Sequence, residues 1–142
     1  MVNGPVMSML GQREPDKYGS FSLADIEKRL QTDFPEKHFV FFQSDIEGEI
    51  ISFLLSNNNI SAVIINPAGY TTTSVAIRDA LSAIAKPSVE VHITNIHARE
   101  EFRKNSLIAP VCIGQIAGLG IYSYILAARF LIDYLKTNEQ KG

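Results

Sequence analysis

The chain has 142 residues, enough to bury a core without staples, and its 46% hydrophobic and 20% charged content is that of a globular protein rather than a disordered one. A formal net charge of −2 supplies no basic stripe for nucleic acid. The one cysteine, Cys112, has no intrachain partner and reads as core packing within an apolar stretch. The chain shows neither a signal-peptide pattern nor an apolar run of ~18 residues that could span a bilayer. The expectation is a cytosolic protein folded as one domain over residues 1–142, with no nucleic-acid or membrane partner.

In chain order, Met1 and Val2 alone precede the turn-forming Asn3-Gly4-Pro5, so a first strand is very short or truncated. A polar, glycine-bounded segment, Gly11 to Gly19, follows. Leu23, Ile26, Leu30 and Phe34 recur at helical spacing behind Ser22, a natural N-cap. Lys37 to Gln43 reads as a strand, then Ile46, Ile50, Phe53 and Leu54 mark a second helix. Ala62 to Ile65 is the next strand. The hydroxyl run Thr71 to Ser74 opens a third helix, to which Val75, Ala76, Leu81 and Ile84 belong. Val89 to Ile93 and Val111 to Ile116 are further strands, and the longest helix runs from about Ile121 to Leu135. Short continuous apolar runs alternating with amphipathic helices predict an α/β fold: a flavodoxin-like, doubly wound parallel sheet of five strands in the order 2-1-3-4-5. Ligands in such sheets bind beyond the carboxyl ends of the strands at the switch point, where the polar clusters of this chain fall.

Three of those clusters could carry chemistry. In the first, Arg13 precedes Tyr18 inside a segment with glycine at each end and Pro15 between, the composition of a lid. Tyrosines are poor bases at neutral pH, and a nearby guanidinium favours the phenolate. A bland alternative is that both residues decorate a surface loop. In the second, Glu90, His92 and Thr94 alternate along a strand and share one face. A carboxylate beside an imidazole fixes its tautomer and makes it a competent general acid. His92 and His97 lack the spacing of paired helical ligands and have no third ligand near them, so no metal is expected. His38 has no polar company and no assigned role. The third runs from Asn66 to Ser74, then Arg78 and Asp79; its Asn-Pro strand end and hydroxyl-rich helix start offer donors to an anion, or simply a turn and an N-cap.

Together these clusters resemble the type II 3-dehydroquinate dehydratases, the type II dehydroquinases, over nearly the whole chain. The matching stretches are Asn3 to Gly19, Phe41 to Glu49, Thr73 to Ala80, Ser106 to Tyr122 and, most specific, EVHITNIHAREEFR at Glu90 to Arg103. The resemblance implies a hydro-lyase of the shikimate pathway or quinate catabolism, working on 3-dehydroquinate without metal or organic cofactor. It also implies trimers assembled into a dodecamer. On matching positions it makes Tyr18 the base for a C2 proton, with Arg13 stabilising its phenolate. His92, oriented by Glu90, becomes the acid that protonates the departing hydroxyl. Asn66, Ile93 and Thr94 would hold the carboxylate end and the leaving hydroxyl, Thr94 standing where the family usually has serine. Arg103 and Asp79 would recognise ring hydroxyls, Asp79 from a neighbouring subunit. The family pattern also has asparagine where Val6 and Ser8 stand, histidine at Thr72 and glycine at Ala68. Losing a donor aimed at a developing oxyanion can cost about 3–4 kcal/mol. Val6 and Thr72 therefore favour a rival reading, a paralogue that binds a related cyclic hydroxy acid with impaired turnover.

Overall fold

The computed structural model describes residues 1–142. The elements are β1 (Val2–Asn3), α1 (Pro15–Tyr18), α2 (Leu23–Asp33), β2 (Phe42–Gln43), α3 (Glu47–Ser56), β3 (Val63–Asn66), α4 (Val75–Ile84), β4 (Ser88–His92), β5 (Gly114–Ala117) and α5 (Tyr122–Glu139). The five strands form one parallel sheet in the order β2-β1-β3-β4-β5, as the sequence predicts. No helix is long and apolar enough to cross a membrane.

Alternation along the strands divides the interior into two cores. Ile64, Val89 and Val91 point to the face covered by α2 and α5, where they meet Ile26, Leu30, Tyr124 and Leu131. Val2, Val63 and Ile65 point to the other face and meet Ile50, Leu54, Ile77 and Leu81 of α3 and α4. Helix α2 begins where Ser22 accepts from the Asp25 N–H while the Asp25 carboxylate accepts from the Ser22 N–H, a reciprocal capping box.

Boundaries move where local chemistry overrides apolar patterning. The expected strand Lys37 to Gln43 contracts to Phe42–Gln43, because β1 offers only Val2 and Asn3 as ladder partners. The expected strand at Val111 starts instead at Gly114, since Ala109–Val111 forms a 3-10 turn around Pro110. The hydroxyl run does not open α4 as a unit. Residues Ala68–Thr72 form their own 3-10 turn, and Ser74 caps α4 by accepting from the Ile77 N–H.

Leu30 is fully buried between α2 and the sheet. Leu30→Ala should cost about 2–5 kcal/mol of unfolding free energy in urea titrations; a change under about 1 kcal/mol would contradict the packing described.

Candidate active site

The order of strands reverses on either side of β1, and the carboxyl ends of β1, β3 and β4 open there into a cleft. A cavity of about 250 Å³ occupies it, with Arg13, Tyr18, Asn66, His92, Thr94 and Arg99 among its walls. No group of three or more His, Cys, Asp or Glu side chains comes together in the molecule as a metal site would require.

One wall is the segment between Gly11 and Gly19. Both glycines take positive φ, 88° and 84°, and a Cβ on Gly19 would lie 2.7 Å from the Phe21 ring. Only glycine fits these two corners, so the segment is a defined excursion that carries the short helix α1 and Tyr18 over the cavity. The guanidinium carbons of Arg13 and Arg99 lie 5.6 and 5.5 Å from the Tyr18 ring centre. Arg99 also donates to the phenol oxygen at 2.9 Å and lies 3.3 Å from the Thr94 hydroxyl. A cation donating directly to that oxygen stabilises the anion left when the proton departs. Arg99 is the residue that sequence reasoning passed over. It lies within the most specific motif, but a single arginine among Arg99, Glu100, Glu101 and Arg103 gives no local sign of reaching back to Tyr18.

His92 lines the same cavity. Glu90 and His92 alternate with Val89 and Val91, so they leave the core on the α2–α5 side and lie under the Ala68–Thr72 turn. The His92 Nε2 is 2.7 Å from Glu90 Oε1. Glu90 is fully buried and accepts further bonds from Thr71 Oγ1, from Ser106 Oγ at 2.8 Å and from Gln115 Nε2 at 3.0 Å. Burial pushes its carboxyl up, but the bonds from His92, Thr71 and Ser106 outweigh this and hold it below the usual carboxylate range. Thr94 lies just past the strand end and still lines the cavity, as do Ile93 and Arg103. Arg103 also donates to Glu100 at 2.8 Å.

Asn66, at the end of β3, is buried and oriented on two sides. Its Nδ2 donates to Tyr124 Oη at 2.8 Å, the Tyr124 hydroxyl donates to Asn3 Oδ1 at 2.7 Å, and Asn66 Oδ1 accepts from the Ala68 N–H at 3.1 Å. Val6 and Thr72 line the cavity, whereas Asp79 lies exposed on α4 away from it. Val6 has φ 66°, a left-handed conformation that a β-branched residue rarely adopts, and its N–H donates to Asp45 Oδ1 at 2.8 Å. Ala68 is also left-handed, with φ 51°. Cys112 is partly buried beside Glu90, and burial, with that carboxylate, pushes its thiol up to about 12. His97 is exposed, outside the cavity walls.

Comparison with known proteins adds the following. The family described as "Dehydroquinase class II" matches residues 1–132. A 3-dehydroquinate dehydratase of Fusobacterium nucleatum is 50% identical over 94% of this chain and 95% of its own. One of Endomicrobium trichonymphae is 51% identical over 95% and 96%. Among solved structures, the type II dehydroquinase of Propionibacterium acnes superposes with TM-score 0.86 at 38% identity, over 92% of each chain. That of Butyrivibrio crossotus gives TM-score 0.88 at 38% identity, over 92% of this chain and 93% of its own.

Two outcomes follow from the geometry. Val6→Asn should raise unfolding free energy by about 1 kcal/mol, because asparagine tolerates the left-handed backbone that valine resists; an unchanged or lower value would show that the position carries no such strain. Cys112, neutral at pH 8, should react with thiol reagents far more slowly in the native protein than in denaturant, and equal rates would contradict its burial.

Proposed function

We propose that this chain, which belongs to the class II dehydroquinase family, removes water from 3-dehydroquinate to give 3-dehydroshikimate through an enolate. One observation carries the reading: Tyr18, hydrogen-bonded by Arg99, and His92, bonded to the buried Glu90, face a common cavity. That cavity therefore holds both a candidate base and a candidate acid.

The chemistry follows from those two groups. The substrate ketone acidifies the neighbouring C2 position, and the Tyr18 phenolate takes a proton from it, leaving an enolate. Arg13 and Arg99 hold the phenolate before that transfer. The enolate electrons then re-form the ketone and make the C1–C2 double bond while the C1–oxygen bond breaks. His92 supplies a proton to the departing hydroxyl, so it leaves as water. With Nε2 committed to Glu90, Nδ1 is the ring nitrogen left for this transfer, and Glu90 stabilises the imidazolium beforehand. A proton returned from the Tyr18 phenol to His92 through solvent restores both groups. Asn66, Ile93 and Thr94 are assigned the carboxylate end and the leaving hydroxyl. Arg103 takes ring hydroxyls, joined by Asp79 of a neighbouring copy, since Asp79 is exposed and does not line the cavity of its own chain. Assembly of trimers into a dodecamer and work in the cytosol, in biosynthesis or quinate catabolism, belong to the same reading. No step calls on a metal or organic cofactor.

The direct test incubates purified protein with 3-dehydroquinate and follows the ultraviolet absorbance of the conjugated product. Turnover should appear and should survive chelators and borohydride; saturable binding without product would overturn the assignment. Tyr18→Phe and His92→Ala should each lower kcat by about 10²–10⁴-fold with the fold intact, and near-normal turnover in either refutes its role. Val6→Asn should raise kcat if an enolate donor limits the wild-type rate, whereas an equal rate counts against that diagnosis.

A further inference from the structure

Parallel pairing of β4 with β5 sets Glu90 opposite Gln115. Cross-strand neighbours project to the same face, so a glutamine at this register reaches the carboxylate without distortion. Its amide nitrogen donates to Glu90 Oε2 at 3.0 Å, and the same oxygen accepts from Ser106 Oγ at 2.8 Å. The direction of the serine bond is settled by counting. Ser106 Oγ already accepts from the N–H groups of Ile108 at 3.1 Å and Ala109 at 2.9 Å. Both lone pairs are thus occupied, and its single O–H is left for Glu90. Oε2 is therefore met by two donors that have nothing to accept from it, while Oε1 serves His92 and Thr71.

We propose that Gln115 is a positioning residue for the proton donor: from the edge strand, together with Ser106, it keeps the Glu90 carboxylate ionised and turned so that Oε1 meets His92. The claim rests on the dehydration reading above, and it concerns residues that touch neither the cavity nor a substrate. A carboxylate deprived of donors pulls harder on the nearest proton. Gln115 and Ser106 spread the negative charge, which softens the pull of Glu90 on the His92 ring proton. The titratable groups that meet Glu90 are His92, on the same strand, and Cys112, from the segment leading into β5. The thiol is neutral across the working range, which leaves His92 to report what the donors do.

Gln115→Leu keeps the side-chain bulk and removes the donor. It should lower kcat by about tenfold, leave KM within about twofold, and move the alkaline limb of the kcat profile upward by about one pH unit. Ser106→Ala should act in the same direction, and it serves as the independent variant if the leucine chain does not fold. An NMR titration of the His92 ring without substrate should show the same upward displacement in either variant relative to wild type. That readout needs no turnover, so a wild-type protein inactive on 3-dehydroquinate would sink the reaction reading while the titration still judges the network. Unchanged titration and unchanged pH limbs in both variants would overturn the proposal, as would a loss confined to KM.

Discussion

A fully buried carboxylate is the constraint around which the rest of this molecule is arranged. Glu90 sits in the middle of a strand whose five residues are all buried, where an unpaired charge would cost several kcal/mol. The cost is offset because separate parts of the chain converge on it: Thr71 after β3, His92 on its own strand, Ser106 in a loop and Gln115 on the edge strand. Each of these positions is intelligible once the charge is taken as given. The 3-10 turn at Ala68–Thr72 delivers Thr71 to the carboxylate, which a continuous helix from Thr71 would not need to do.

The two halves of the cleft are built by different means. The acid side is rigid, since strand register fixes Glu90, His92 and Gln115 within one ladder. The base side is carried on the Gly11–Gly19 excursion, where Tyr18 packs against the α2–α5 core and takes a hydrogen bond from Arg99. Asn66 between them is anchored through Tyr124 to Asn3, a chain of side chains that joins β3, α5 and β1. The cleft thus sets a phenolic oxygen borne on a loop helix beside an imidazole fixed in the sheet.

Much of this was legible in the sequence, for reasons that differ by element. Apolar runs alternating with amphipathic helices declared a doubly wound parallel sheet, and the strand order followed from the flavodoxin type. Tyr18, Arg13, Glu90 and His92 stood out because each has an electrostatic companion nearby in the chain. Arg99 did not, because its partner is far away in sequence and meets it only after the sheet has formed. Gln115 and Ser106 were equally silent: a strand-edge amide and a loop hydroxyl carry no signature until register sets them against Glu90. The ends of β2 and β5 were misjudged where hydrophobicity ran on but ladder partners, or the freedom of Pro110, did not.

The brevity of β1 bears on how the molecule comes together. Its two residues fill an inner lane of the sheet, between β2 and β3, with Phe42 and Gln43 as ladder partners on one side and Ile65 and Asn66 on the other. Asn3 is then closed off by Tyr124, near the far end of the chain. So short a strand gains little from local pairing, while closing such long loops carries an entropic penalty that only later contacts offset. During synthesis β1 must wait for β2 and β3 before it can be laddered, and the Tyr124 bond to Asn3 beneath the cleft can form only once α5 has been made.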